Sequence, residues 1–200
     1  MYKRKDAFYV RAKRAGYRSR AAYKLEELAT RSRLFRRGDC VVDLGAWPGG
    51  WLQVAAQHVG PTGTVIGVDL QSLEPFPDKN IILVTGDITS DAMQQRVAEL
   101  CGGHADVLLS DLAPKLTGVR ARDAAQARVL ADAVSAFAER LLRPGGRLVM
   151  KLFMNDDVPR LKARLQALFR EVRTTRPEAT RKGSAEIYAV ASDFRALRTS

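Results

Sequence analysis

The sequence predicts an α/β fold: an open, mostly parallel sheet with helices on both faces and an antiparallel hairpin at one edge. Three observations lead there. Short β-rich runs alternate with helical patterns along most of the chain, as strand–helix–strand crossovers require. The first run delivers an acid into a glycine-rich turn, VVDLGAWPGGW at 41–51, and the patterned helix WLQVAAQHV follows. Near the end, EVRTTR and EIYAVAS both read as strands with no room for a helix between them, so they pair antiparallel.

Taken in order, a helix is expected over SRAAYKLEELA, then the strand CVVDL, a helix at 50–59, and strands TVIGVDL at 64–70 and IILVTGD at 81–87. A helix at 91–101, the strand DVLLSD at 106–111, an amphipathic helix at 123–142, the strand RLVMKLF at 147–153 and an amphipathic helix at 157–169 complete the alternation. With the final pair this makes seven strands. GPTG at 60–63, EPFPD at 74–78 and RPGG at 143–146 read as turns within one domain, and no internal repeat is visible. A length of 200 residues with 46% hydrophobic content suits one globular unit.

The net charge of +11 points to a polyanionic partner. Its distribution is uneven. Residues 1–37 hold thirteen Lys or Arg against Asp6, Glu26 and Glu27, so nearly the whole excess precedes the first strand. Tyr2, Phe8, Tyr9, Tyr17 and Tyr23 are interleaved with those cations and can stack on bases or pack. Residues 1–37 therefore read as a basic, RNA-contacting arm with the first helix, and 38–200 as the α/β domain. A solvated basic terminus is the plainer alternative. A transit peptide fits less well, because the segment runs into a patterned helix.

Cys40 and Cys101 stand in apolar contexts and are expected to be reduced. His58 and His104 lie too far from each other and from the cysteines for metal-motif spacing, so no metal is expected. No apolar run is long enough to span a bilayer and no secretory signal opens the chain, so the expectation is a soluble, cytoplasmic protein with no membrane partner.

In parallel sheets ligands sit beyond the carboxyl ends of the strands, so acids placed there draw attention. Asp69 closes TVIGVD, some 24 residues after Gly45, the place from which an acid accepts hydrogen bonds from ribose hydroxyls. Asp87 follows IILVTG and faces either an adenine amine or the start of the helix near Ser90, as its cap. Asp43 is expected to bond the amides of the glycine turn. Gly45, Gly49 and Gly50 lack a Cβ and allow close backbone approach to a ligand. A further set comprises Lys24 in AAYKLEE, Asp111 in SDLAP, Lys151 in LVMKLF and Glu186 in GSAEIY. A lysine inside an apolar strand is costly unless its ammonium is paired, so Lys151 asks for a reason. Reaching solvent from a strand end is one; Asp111 at a neighbouring strand end supplies another.

From RAKRAGYRSRAAYKL through VVDLGAWPGGW, GVDL, GDI, SDLAPKLTG and LRPGGRLVMKLF to RKGSAEIYAVA, the chain resembles the FtsJ-like RNA ribose 2′-O-methyltransferases nearly end to end. The resemblance implies a Rossmann-like class I S-adenosylmethionine-dependent methyltransferase fold over 38–200. It implies a catalytic tetrad of Lys24, Asp111, Lys151 and Glu186. It also implies an S-adenosylmethionine pocket lined by Gly45, Trp47, Pro48, Gly49, Gly50, Trp51, Asp69, Leu70, Asp87, Ile88 and Asp111. Two departures stand out. The family has a small residue where this chain has Trp47, and glycine soon after the position of Phe153, where MNDD stands. Lys115 adds a candidate phosphate contact.

Among such enzymes the compact form without an added RNA-binding domain implies a monomer acting on a uridine in the A loop of large-subunit (23S) ribosomal RNA, in the assembled subunit. Transfer RNA as substrate, a small-molecule methyltransferase, and a non-catalytic RNA-binding assembly factor are the competing expectations. A small-molecule enzyme does not need so basic an arm, and a non-catalytic binder does not need the tetrad. Methyl transfer to a ribose hydroxyl requires that its proton be taken. Lys151 is expected either to act as a neutral base or, charged, to stabilise the forming alkoxide, with Asp111 orienting it and Glu186 and Lys24 placing the ribose.

Overall fold

A computed structural model of the chain describes residues 7–114, 117–154, 157–181 and 183–195. The order of elements is α1 (Ala7–Arg14), α2 (Ala22–Ser32), β1 (Cys40–Leu44), α3 (Gly50–Val59), β2 (Thr64–Asp69), β3 (Ile81–Thr85), α4 (Asp91–Leu100), β4 (Ala105–Ser110), α5 (Arg120–Leu141), β5 (Leu142–Phe153), α6 (Val158–Leu168), β6 (Phe169–Thr175) and β7 (Glu186–Phe194). The seven strands form one sheet in the order β3-β2-β1-β4-β5-β7-β6. The pairs among β1 to β5 are parallel, and β7 runs antiparallel to both β5 and β6.

The expected alternation and edge hairpin are both present, but the last strand lies inside and β6 takes the edge. Composition accounts for this. Tyr188, Ala189, Val190 and Ala191 of β7 are all buried, as a strand covered on both faces requires. FREVRTT instead exposes Arg170, Glu171, Arg173 and Thr174, the charged surface that keeps an edge from pairing further.

Strand periodicity of two splits the core into two clusters. One face packs Val42, Leu44, Ile66 and Leu108 against α4, α5 and α6; the other packs Val41, Val65, Leu109 and Val149 against α2 and α3. Helix α2 is part of this second cluster through Leu25, Leu28 and Ala29, so the first predicted helix is integral to the core.

Three local expectations are corrected. The arm is helical over α1, an element the alternation of patterns does not reach, because the eight residues of AFYVRAKR make barely two turns. RPGG lies inside β5, where the ladder to β4 skips from Ala105↔Leu142 to Val107↔Arg147 and the extra residues bulge out with Gly145 at φ 77. The alternative reading of Asp87 as the cap of α4 gives way, because Ser90 caps that helix: its side chain accepts a hydrogen bond from the Met93 amide. Asp87 instead accepts from the amide and hydroxyl of Thr89. Among the described residues no helix is long and apolar enough to cross a membrane.

Candidate active site

The parity of the strands assembles the site. Asp43 on β1 has the same orientation as Val41, and Asp111, just past β4, the same as Leu109; both therefore face α2 and α3. Lys151 on β5 follows Val149 by two and is register partner of Tyr188 on β7, while Glu186 precedes Tyr188 by two. All five side chains share one face at the carboxyl end of the sheet. Helix α2, packed over that face, delivers Lys24, which is only 7% exposed.

The four tetrad candidates form one chain of contacts. Lys24 Nζ lies 2.9 Å from Glu186 Oε2 and donates to the Tyr188 hydroxyl at 3.0 Å. That hydroxyl donates to Asp111 Oδ1 at 2.7 Å. Lys151 Nζ lies 3.2 Å from the same Oδ1 and also donates to the Asp111 carbonyl. Sequence reasoning missed Tyr188, which joins the two ion pairs. Burial, then Asp111, push its hydroxyl above the usual tyrosine range, so it stays a donor. Burial raises the Glu186 carboxyl, but the hydrogen bond and charge of Lys24, with Lys151 and Arg181, outweigh it and leave the group below its ordinary value.

Beside this chain Asp69 and Asp111 lie close enough for their charges to act on Asp43. Asp43 is completely buried, and neither of its oxygens has a hydrogen-bond partner. The expectation that it bonds the glycine-turn amides is therefore corrected: those of Gly45 and Ala46 donate to the Val68 carbonyl. Burial, followed by the charges of Asp111 and Asp69, drives the Asp43 carboxyl well above the usual range. Asp69 ends β2, and its two oxygens accept from the amides of Trp47 and Gln71, both at 2.9 Å. Neighbouring carboxyl groups suit a cationic ligand, and an orphaned buried acid such as Asp43 is the kind of group such a ligand completes. S-adenosylmethionine, with its sulfonium and ammonium, fits that donor set.

The other predicted pocket residues divide. Trp47, followed by a cis bond to Pro48, is 52% exposed, and Leu70 is 72% exposed, so both are open to solvent beside Asp69. Asp87 is exposed beyond β3, while Ile88 is buried in the core with Met93. Trp51 is buried: its indole N–H donates to the Ala21 carbonyl and its ring lies 6.0 Å from that of Tyr188. It braces α2 and Tyr188 from behind. Gly45 and Gly49 hold φ of 84 and 109, and the space a Cβ would need is filled by Leu112 at Gly45, by Phe76 and Arg18 at Gly49, and by Ser19 at Gly50. Their missing side chains thus admit the protein's own neighbours. Lys115, Asn155 and Asp156 lie outside the described residues, as do residues 1–6 of the arm.

Within the described arm the aromatics mostly serve packing. Tyr23 lies against Phe8 and Tyr17 with Arg11 above its ring at 4.6 Å, while Tyr9 is 48% exposed. Among the described residues no cluster of three His, Cys, Asp or Glu side chains could hold a metal ion.

Known proteins of the same build carry matching descriptions. A ribosomal RNA large subunit methyltransferase E from Methanobrevibacter smithii is 44% identical over 195 residues, covering 98% of this chain and 93% of its own length. One of the same name from Myxococcus xanthus is 41% identical, covering 94% and 89%. A crystal structure described as a ribosomal RNA methyltransferase of Plasmodium falciparum superposes with a TM-score of 0.78 at 29% identity, covering 89% of this chain and 98% of that one. Aeropyrum pernix fibrillarin, solved with natively bound S-adenosyl-L-methionine, shares the fold at a TM-score of 0.60 and 19% identity, covering 85% and 75%. The profile of the FtsJ-like methyltransferases matches residues 17–194, from within the arm to the last strand, and the chain belongs to that family.

Proposed function

We propose that the protein transfers the methyl group of S-adenosylmethionine to the 2′ oxygen of a ribose in large-subunit ribosomal RNA. The observation that carries this reading is the continuous path from Lys24 and Glu186 through Tyr188 to Asp111 and Lys151, set beside the Asp43 and Asp69 carboxyls. The names of the relatives favour the ribosomal substrate. The basic residues of 1–37 supply sequence-independent attraction to the RNA backbone, and 38–200, with Lys24 brought in by α2, the catalytic domain. Action on the assembled subunit at an A-loop uridine, in the cytoplasm and as a monomer, completes the proposal.

Gly45, Trp47, Pro48, Gly49, Gly50, Trp51, Asp69, Leu70, Asp87, Ile88 and Asp111 are assigned to the cofactor. Asp69 would accept from the ribose hydroxyls through lone pairs that its two backbone donors leave open. When bound, the cofactor supplies an electrophilic methyl on a positively charged sulfur. The new O–C bond would replace the sulfur–methyl bond, the sulfur leaving as the neutral thioether of S-adenosylhomocysteine, and the ribose hydroxyl would lose its proton. Lys151 Nζ receives that proton if it starts neutral, or, as an ammonium, donates a hydrogen bond to the oxygen on which charge builds. Asp111 fixes Lys151 through two acceptors, its carboxylate and its carbonyl. Lys24, anchored by Glu186 and Tyr188, holds a second cation near the ribose.

The deciding experiment supplies methyl-labelled S-adenosylmethionine with unmodified large subunits, free ribosomal RNA and transfer RNA, then maps the label. One 2′-O-methyl group in large-subunit RNA is the expected result. Label on transfer RNA alone would replace the substrate, and no label on any RNA would leave a binding protein.

A further inference from the structure

Between β2 and β3 the chain runs through residues 70–80 without helix or strand. The segment starts at the proposed ribose acceptor, Asp69, and contains Pro75 and Pro77, which have no amide hydrogen to offer a neighbouring strand. Leu73 and Phe76 pack against the α2–α3 side of the core. The carbonyls of Glu74 and Pro75 are both taken by one side chain, that of Arg18: Nη1 donates at 2.7 Å and Nη2 at 2.6 Å. The Arg18 guanidinium carbon also lies 3.5 Å from the centre of the Phe76 ring.

This grip closes on the glycine turn. A Cβ on Gly49 would meet Phe76 Cζ at 2.5 Å and Arg18 Cδ at 3.2 Å, so both side chains rest on the Gly49 backbone. Arg18 is itself fixed to α3: its amide donates to Gln53 Oε1 at 2.8 Å, and Gln53 Nε2 donates to the Gly16 carbonyl at 2.9 Å. One arginine of the basic stretch thus ties together the arm, the glycine turn and the segment that follows Asp69. Paired carbonyls and an aromatic face match the planar fork of arginine and cannot be met together by lysine. An RNA phosphate needs only a cation.

We propose that Arg18 is a positioning residue for S-adenosylmethionine, clasping the 70–78 segment onto the glycine turn so that Asp69 and Gly49 keep the spacing that the adenosine requires. The inference rests on the cofactor assignment above. Released from Arg18, the segment regains freedom at Asp69, and the cofactor must restore its order on binding.

The test compares S-adenosylhomocysteine affinity by titration calorimetry in the wild type, Arg18→Ala, Arg18→Lys and Phe76→Leu, with RNA affinity and steady-state kinetics measured alongside. Loss of two hydrogen bonds and a stacked face is expected to weaken cofactor binding about tenfold in Arg18→Ala. KM for the cofactor rises with it, and turnover at saturating cofactor falls far less. Lysine is expected not to rescue, and Phe76→Leu to shift affinity in the same direction; that variant carries the test if Arg18→Ala fails to fold. Cofactor affinity within twofold of wild type in the folded variants overturns the clasp. So does a defect confined to RNA affinity and restored by lysine, which would make Arg18 a phosphate contact. A wild type that binds no S-adenosylhomocysteine overturns the cofactor assignment itself, whereas wild-type binding with unaltered variants overturns this inference alone.

Discussion

Replacing Tyr188 with phenylalanine isolates the link between the two ion pairs. The side chain is completely buried and packs near Trp51, so the phenyl ring keeps the volume and only the hydroxyl is lost. With it go a donor to Asp111 at 2.7 Å and an acceptor for Lys24 at 3.0 Å. Hydrogen bonds to charged partners contribute about 1.5–3 kcal/mol each. Lys24 keeps Glu186 and Asp111 keeps Lys151, so neither charge is orphaned. The net cost should therefore approach that of one such bond, about 2 kcal/mol. For a chain of this size that corresponds to a melting point lower by roughly 4–8 °C. Urea unfolding measures the first quantity and single-turnover methylation the second consequence. Freed from the hydroxyl, Asp111 no longer holds Lys151 against a fixed neighbour, and the rate should fall about 10- to 100-fold, the scale of a small misplacement. A double-mutant cycle with Lys24→Met should show coupling, because both changes remove the same bond. A Tyr188→Phe protein with wild-type stability and rate would refute the claim that the hydroxyl joins the site.

Three further outcomes follow from the same geometry. Lys151→Ala should reduce the single-turnover rate about a thousandfold or more while cofactor affinity stays close to wild type; unaltered turnover would remove Lys151 from the chemistry. The Asp43 carboxyl is held well above its unfolded value of about 3.9, so above that pH the native state binds more protons than the unfolded one and stability falls as pH rises. Asp43→Asn should thus be more stable than wild type at pH 7, with the advantage vanishing toward about pH 4; parallel stability profiles for the two proteins would contradict it. Glu186 has the opposite sign. Its folded value is depressed, so its contribution is present above the unfolded value and lost as pH falls, and Glu186→Gln should lose stability at neutral pH but match wild type in acid, as denaturation at two pH values would show.

The alternation of strands and helices was legible because each β run is short, apolar and bounded by turn residues, and the β1 glycine turn could be placed to the residue. The position of β7 between β5 and β6 was not, since a hairpin read from sequence has no stated side until one strand is seen to be apolar on both faces. The tetrad candidates were recognised one motif at a time, and the structure brings all four together. Asp43 was misjudged for a physical reason: an acid beside a glycine turn is normally satisfied by its amides, and here those amides close onto Val68 instead.

Tyr188 went unseen because a tyrosine in EIYAVAS reads as ordinary strand packing. A signal was nevertheless present. Glu186 and Tyr188 stand two apart on one strand and so share a face, and a tyrosine buried beside a carboxylate needs a partner for its hydroxyl. The partner is Asp111, delivered by a strand two places away in the sheet, with β5 between. Sheet order decides which motifs become neighbours, and local sequence carries little of it. The antiparallel return of β7 sets Lys151 against Tyr188 and Phe153 against Glu186, whereas a parallel β7 would carry its N-terminal Glu186 to the opposite end of the sheet. The reversed last strand is therefore what places the fourth tetrad candidate within reach of Lys24.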